Sequence, residues 1–483
     1  MLRYETIIRD PVHGDVPLTR EEMRLLDTAE MQRLRHVRQL GMAYLVYPGA
    51  QHSRFEHSIG TAHLATRMMN EINAVRDRAA DSRLGGYDAH EMRIVRLAAL
   101  VHDATHLPFG HNIEDQTGLL PRHDVPERFA AMFSDETEIG RALAATGARS
   151  EVLAILAPAL AGPGGAAPDS WRALVSGTID ADMLDYLSRD ALFTGLKLEY
   201  DPRIFGVFRV DRRSQRLYVD LGRQGYLKEA VLSEVIRCLE ARYYFSERVY
   251  YHHAKIAAGS LVSKAVEIAL LAGGVRFEDL QRSTDAGLFD LLGRARVEDP
   301  FLQARLRLYL DALGHRRLPR RAAVYPVYAN AALQPELIRR FFGAGSAEER
   351  RRVEREMSEE LQRRTGRDIP VMLYCPAGHM QLKQAKILVQ WPGREGLAPL
   401  NDYRDEIPRV TDLERSYARM WKFYVHALTD ETADLGAVRR LCAERFPDAV
   451  NVLEPAQAPA GVARTGRAGP SAKEIGNALG ERD

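Results

Sequence analysis

Ten of the fifteen histidines in this 483-residue chain lie within its first 123 residues, at positions 13, 36, 52, 57, 63, 90, 102, 106, 111 and 123. Imidazole binds transition metals and carries protons near neutral pH, so this quarter of the chain is where such chemistry is to be sought. His102 and Asp103 are adjacent, His57 stands in RFEHSIG, HDATHLPFGH occupies 102–111, and IDADMLDYLSRD begins at Ile179. Two or three imidazoles with one or two carboxylates suit Mn, Fe, Zn or Ni and leave coordination positions for water and phosphate oxygens. A single His-Asp pair at a helix end serves equally well as a hydrogen-bonded cap; the company of the other segments is what points to a metal. Cys238, Cys375 and Cys442 stand far apart with no CxxC, which leaves histidine and carboxylate as the ligands.

Helices must hold these side chains. From Thr19 to Leu40 apolar residues recur at near-helical spacing behind a Thr19/Glu22 capping box, which predicts one surface helix. Residues 57–75 and 91–103 read as two more, the second apolar on most sides, like a helix inside a core. A helix over 176–194 brings Asp182, Tyr186 and Asp190, each four apart, onto one face. AGPGGAAP (161–168) is a loop, 206–220 reads as two short strands around a polar turn, and 227–272 as one long or broken helix. IPVMLY and AKILVQW, between 365 and 391, predict a small sheet, followed by helices over 410–428 and 432–445. The fold class is mainly α: a helical core with a small β-hairpin over 1–330, a smaller α+β lobe over 331–453, and a disordered tail over 454–483, rich in Pro, Ala and Gly.

Lys and Arg number 67 against 66 Asp and Glu, and a net charge of +1 demands no polyanion as partner. EERRRVER (348–355) reads as a solvated helix face; HRRLPRR (315–321) has the charge to touch nucleic acid or an anionic effector, but the net charge of +1 disfavours it, so nucleic acid is not expected. No apolar run approaches the ~20 residues that cross a bilayer, and the N-terminus lacks a secretion signal, which predicts a cytoplasmic protein without a membrane partner.

DPVHG (10–14), QRLRHVRQLG (32–41), YPGAQHSRFEHSIG (47–60), HDATHLPFGH (102–111), DADMLDYLSRD (180–190) and RVYYHHAK (248–255) follow one another in an order that resembles the HD-domain phosphohydrolases, and within them the deoxynucleoside triphosphate triphosphohydrolases. The resemblance runs from about Ile8 to Lys255 and implies an HD-domain helical core. It implies His57, His102, Asp103 and Asp182 as ligands of a divalent transition metal, with Mg as a further cofactor on the phosphates. Its activity is attack of a metal-activated water on the α-phosphorus, releasing a deoxynucleoside and tripolyphosphate. Arg54 is the expected phosphate clamp, because a guanidinium grips two oxygens at once. His106 and His111 match positions at the phosphates, His123 completes the pocket, and all three titrate near neutrality and suit proton transfer at the leaving oxygen. Glu114 stands where the family usually has Asp and is expected to orient His106. By the same resemblance Tyr186 packs where a 2′-hydroxyl would lie, Asp190 accepts from the 3′-hydroxyl, and Gln39 and Leu40 contact sugar and base. Arg242 corresponds to a phosphate-binding Arg, Tyr250 to a sugar-stacking Tyr, and His252 lies close to the base. The family forms dimers, tetramers or hexamers, which implies a homo-oligomer, and Asp10, Gln32 and Arg35 match a nucleotide activator site between subunits.

Two departures bear on substrate. Met183 follows Asp182 where the family commonly has a Lys that holds the triphosphate, a charge-assisted contact worth ~1.5–3 kcal/mol. Thr105 stands where Gly is usual. They leave open an HD phosphohydrolase acting on another nucleotide, such as a nucleoside monophosphatase or phosphodiesterase. A catalytically silent nucleic-acid-binding regulator is the third reading, and the intact His57, His102, Asp103 and Asp182 speak against it. His36, His63 and His90 are expected to be structural.

Overall fold

The chain begins with an antiparallel hairpin, β1 (Tyr4–Asp10) and β2 (Gly14–Thr19). Its turn needs the left-handed backbone of Gly14 at φ 75, and Asp10 Oδ1 accepts from the N–H groups of Val12 and His13. This computed structural model describes residues 3–454 apart from 80, 118, 163–164, 344 and 376–385; the tail expected over 454–483 lies, beyond Glu454, outside the described residues. The Thr19/Glu22 capping box forms as expected and starts α1 (Arg20–Leu26). The single helix expected through Leu40 does not form. The chain stops at Asp27, restarts as α2 (Ala29–Arg33), passes through a 3-10 turn at Leu34–His36 and is extended at Val37. Tertiary bonds override the helical periodicity here. Arg33 donates to the carbonyls of Ala104, His106 and Ser283, and the Arg38 N–H to the Asp285 carboxylate.

Three helices make the centre, each opened by a side-chain cap. Ser53 and Glu56 exchange hydrogen bonds at the start of α3 (Arg54–Ala79), which is buried on most sides from Arg54 to Ala65. A second capping box, Asp88 with Glu91, opens α4 (Ala89–Val101), whose stretch Ile94–Val101 is buried without a break and which ends directly at His102 and Asp103. Downstream of a sharp turn, α5 (His111–Thr117) follows, then α6 (Pro126–Met132), α7 (Glu138–Ala145), α8 (Arg149–Leu156) and α9 (Asp169–Ser176), of which α8 and α9 pack on α4. Asp180 caps α10 (Ala181–Thr194), which packs along α3 and ends at left-handed Gly195.

The hairpin expected over 206–220 is present as β4 (Phe208–Asp211) and β5 (Leu217–Asp220), edged by β3 (Leu84–Gly85) and followed by the short pair β6 (Gly222–Arg223) and β7 (Tyr226–Leu227). The segment 227–272 is broken: α11 (Glu229–Phe245) runs into a π-turn over Ser246–Tyr250 before α12 (His253–Leu271). Three helices, α13 (Phe277–Arg282), α14 (Asp285–Arg294) and α15 (Pro300–Gly314), lead to β8 (Arg320–Pro326). The helices α16 (Val327–Asn330), α17 (Gln334–Phe342) and α18 (Ala347–Thr365) follow.

Two expectations for the C-terminal part fail. IPVMLY and AKILVQW do not share a sheet: β9 (Val371–Tyr374) joins an antiparallel sheet of order β8-β12-β9, whereas β10 (Leu388–Gln390) runs parallel to β5, with β11 (Ala398–Pro399) at its edge. The helix expected over 410–428 is only its first half, α19 (Pro408–Ala418); β12 (Lys422–Ala427) is the central strand of the three. The run KFYVHA is aromatic and β-branched and is buried on both faces from Phe423 onward, which favours a strand over a continued helix. The expected last helix is α20 (Thr432–Arg445). Helices dominate throughout, so the protein is mainly α. One core joins Val16 and Leu25 to Trp421 and Phe423, and a second gathers Phe109 and Ile113 with α12 and α15. Among the described residues no helix is long and apolar enough to cross a membrane.

Candidate metal centre

The structure brings His57 from α3, His102 and Asp103 from the end of α4, and Asp182 from the first turn of α10 to one point. One ligand atom from each of His57, His102 and Asp103 lies within 4.8 Å of the others. Asp182 Oδ1 is 2.9 Å from His57 Nε2 and 3.7 Å from His102 Nε2. Both Nε2 atoms are buried, yet neither makes a hydrogen bond. Orphaned nitrogens converging with carboxylate oxygens are what ligands of a common cation look like, since buried polar atoms otherwise find partners. The donor set fits a divalent transition metal.

The other ring nitrogens fix the imidazoles. His102 Nδ1 donates to the Ala99 carbonyl at 2.7 Å, and His57 Nδ1 to Asp185 Oδ2 at 2.7 Å. Asp185 is fully buried and accepts in turn from His13 Nε2 at 2.6 Å and from Arg189 Nε and Nη2, both at 2.9 Å. Arg189 Nη1 continues to Asp10 Oδ2 at 2.9 Å. Asp10, expected at an activator site, is 3% exposed, with Oδ2 accepting from Arg189 and Oδ1 from the hairpin N–H groups of Val12 and His13. Burial pushes the His57 imidazole down, but Asp182 and Asp185 outweigh it and push it up to about 10. Burial likewise opposes ionisation of Asp103, Asp182 and Asp185, and the cations around them hold all three below the usual carboxylate range. The centre is a negative hole lined with protonatable nitrogen.

A second group adjoins it. Arg54 Nη1 donates to Asp103 Oδ2 at 2.6 Å while its buried Nε has no hydrogen-bond partner. His106 Nε2 is 3.2 Å from Asp103 Oδ1, His106 and His123 stack with centroids 3.6 Å apart, and His111 meets both rings edge-on. Glu114 orients His123 rather than His106: its Oε2 accepts from His123 Nδ1 at 2.8 Å, whereas His106 Nδ1 stands 4.0 Å from Oε1. Burial, with Arg54 and His123 nearby, drives His106 well below its usual value; burial also lowers His123, against Glu114. Both rings are thus neutral near pH 7. The loop beneath is held by two buried arginines, Arg33 on the Ala104 and His106 carbonyls and Arg128 on the Thr105 carbonyl. Phe109 takes a left-handed φ of 57, fixed by its N–H bond to Asp285, so that α5 can start at His111.

One and two turns along α10 from Asp182 stand Tyr186 and Asp190. Tyr250 OH donates to Asp190 Oδ2 at 2.7 Å, His52 Nε2 bonds Oδ1 at 2.8 Å, and the Tyr186 and Tyr250 rings meet edge-on at 6.2 Å. Arg242 lies close enough to Tyr186 and Tyr250 for their charges to interact, its pKa raised by them against burial. Gln39 reaches this group through its N–H bond to the His52 carbonyl and carries a buried, unpartnered Oε1. Leu40 is a core residue, 5% exposed. His252 caps α12 and stacks on His253 at 4.4 Å, outside the contacts that join the others. Met183 is packed in the core at 2% exposure and presents nothing to the centre. Of the histidines expected to be structural, His63 stacks on His13, His90 bonds Glu151 at the surface and His36 is exposed. Sequence reasoning missed Asp185, His13, Arg189, His52, Arg33 and Arg128. The signal for Asp185 and Arg189 was their spacing, i and i+4 on the helix already chosen.

The HD-domain family model matches residues 54–161. An uncharacterized protein of Methanocaldococcus jannaschii is 28% identical over 309 residues, which cover 62% of this chain and 57% of that protein. The deoxynucleoside triphosphate triphosphohydrolase SAMHD1 of Xenopus laevis is 43% identical over 105 residues, 22% of this chain and 16% of that one. The chain thus spans little more than half of the first relative's length and far less of the second's. The crystal structure of a hypothetical protein from Aquifex aeolicus has the same fold, with a TM-score of 0.62 at 21% identity over 90% of this chain and 99% of that chain. The segment matched by the HD-domain model contains His57, His102 and Asp103, three of the four converging donors.

Proposed function

We propose that this protein is a metal-dependent phosphohydrolase that converts deoxynucleoside triphosphates to deoxynucleoside and tripolyphosphate. The observation that carries the reading is the single row on α10, where a metal-type donor (Asp182) is followed by an aromatic ring (Tyr186) and a carboxylate (Asp190), with Arg54 and three imidazoles beside the donor end. A phosphate chain suits the first group and a deoxyribose the second, and the named activity of the SAMHD1 relatives supports the same substrate class. A divalent transition ion held by His57, His102, Asp103 and Asp182, with Mg on the phosphates, supplies Lewis acidity toward water and phosphoryl oxygen. Arg54 donates to phosphate oxygens from the side of Asp103. His123 gives its Nδ1–H to Glu114, which leaves Nε2 as the atom that exchanges protons with the reacting oxygens; His106 and His111 border the same space. Water forms a bond to the α-phosphorus and gives up a proton to Nε2 of the neutral His123 ring, the bond from phosphorus to the 5′ oxygen breaks, and that proton passes on to the 5′ oxygen. Asp190, held by His52 and Tyr250, has a carboxylate lone pair left for a 3′-hydroxyl, and Tyr186 crowds the 2′ position. Gln39, Arg242, Tyr250 and His252 belong to the substrate side of this reading. It also takes the protein to be a cytoplasmic homo-oligomer.

The test loads the protein with Mn(II), supplies all four deoxynucleoside triphosphates and identifies products by phosphorus NMR and mass spectrometry. Tripolyphosphate with free deoxynucleoside is expected. No turnover, with nucleotide activators present, sinks the proposal. Met183 favours a second reading, hydrolysis of a nucleotide with fewer phosphates, because its buried thioether replaces a phosphate-binding cation; release of orthophosphate from deoxynucleoside monophosphates would select it.

A further inference from the structure

A groove of about 720 Å³ opens between α12, α15 and α18, on a face of α12 different from the one that packs on α5. Its size falls within the range of small-molecule sites, roughly 300–1,000 Å³. Ile268, Leu271, Phe301 and Leu302 form an apolar wall, and two of them remain open to solvent, Leu271 at 53% and Phe301 at 50% exposure. The charged floor is closed on itself: Lys264 Nζ sits 2.6 Å from Glu267 and 2.7 Å from Glu354, and Arg350 and Arg351 both bond Glu267. Lys264, Glu267, Glu354 and Arg351, the four of these that line the groove, are paired with one another.

Arg305 is different. It lines the same groove at 6% exposure, spends Nη2 on Asp368 and lies over the Phe301 ring, but its Nη1 is buried with no hydrogen-bond partner. A buried N–H without an acceptor costs about 1–3 kcal/mol, more for a charged donor. Arg355, at the mouth, has no ion pair among the described residues. One unsatisfied guanidinium edge beside an apolar wall calls for an anion with an apolar body. Asp368, Glu354 and Glu359 also line the groove and repel a doubly charged phosphate, which leaves the planar, singly charged carboxylate as the matching head group. We propose that this groove is a binding site for an amphipathic monocarboxylate, its carboxylate on Arg305 and its acyl or aryl body against Leu271, Phe301 and Leu302. The site is separate from the HD centre, and the proposal stands or falls independently of the hydrolase reading.

Isothermal titration of the full chain with octanoate tests it, with octan-1-ol as the uncharged probe of the same body. One octanoate per chain is expected, bound at least about tenfold more tightly than the alcohol, as a charge-assisted head group requires. Arg305→Met removes the guanidinium, and Leu302→Trp fills the wall without touching charge; each is expected to weaken octanoate at least about tenfold. The second variant keeps the Arg305 pair with Asp368, so a folding defect in the first leaves the test intact. No saturable octanoate binding, equal affinity for the alcohol, or undiminished binding by the Leu302→Trp protein would each overturn the assignment.

Discussion

His57 presents Nε2 to the other donors only because Nδ1 is tied to Asp185, and Asp185 keeps its place because Arg189 neutralises it and His13 hydrogen-bonds it. Asp185→Asn preserves shape and still offers an oxygen, but it removes the charge that three donors share. Metal affinity, measured by competition with a chelator, is expected to fall about 10–100-fold, the usual consequence of losing the partner of a ligating imidazole. Affinity equal to that of the parent protein would remove Asp185 as the orienting group. The four converging donors were legible in the sequence because each sits in a distinctive segment. Asp185 was not, although it lies inside a segment already singled out: attention to the i, i+4, i+8 row of Asp182 passes over the residue at i+3, whose importance appears only when α10 is laid against α3. Glu114 shows the same limit. Its type announced an orienting carboxylate, but which imidazole it serves depends on the direction in which α5 leaves the Phe109 turn.

Between elements, the contact that matters most is α3 against α10. Gly60 stands where a Cβ would run into the Asp185 carboxylate and the Arg189 guanidinium, so the two helices approach at the point where Asp185 meets His57. Gly60→Ala is expected to lower the unfolding free energy by about 1–3 kcal/mol in urea titration, the range for overpacking, and to weaken metal retention with it. Unchanged stability would mean that the helices can part at no cost. Helix α4 was predicted near its true limits because an unbroken apolar run specifies it locally; α10 was predicted to its last residue, Thr194, but begins at Ala181 rather than 176, where the Asp180 cap separates it from α9. The segment 19–40 was not, since its periodicity is helical while Arg33 and Arg38 are drawn to carbonyls and a carboxylate far along the chain. Strand β12 was mistaken for the end of a helix for a related reason: only its place between β8 and β9 decides the conformation of KFYVHA.

At the scale of the whole molecule, the three-stranded sheet stores a pH dependence. His426, in the central strand, is fully buried with neither ring nitrogen hydrogen-bonded, and burial, followed by Arg321 and His253, pulls its pKa down to about 3. In the unfolded chain the same imidazole titrates near 6.5, so below that pH the unfolded state gains a proton the folded one refuses. Stability is therefore whole above about 6.5 and falls toward pH 3, by up to ~1.4 kcal/mol per unit. His426→Phe is expected to lose about 2 kcal/mol less than the parent between pH 6.5 and 4.5 in urea unfolding. Parallel loss in both proteins would move the effect elsewhere.

The network around Asp185 also dictates an order of events during synthesis. Its bond to His13 joins residues 172 apart, and the Arg189 bond to Asp10 joins residues 179 apart. The hairpin that supplies His13 and Asp10 leaves the ribosome well before Asp182, Asp185 and Arg189, which emerge only after α3 through α9 have been made. A nascent chain halted before α10 carries His57, His102 and Asp103 but neither their fourth partner nor the carboxylate that turns His57 toward them. On the proposed reading, an ion can be held by all four donors only once the hairpin and α10 have met, so metal loading would report that these distant segments have finished folding together.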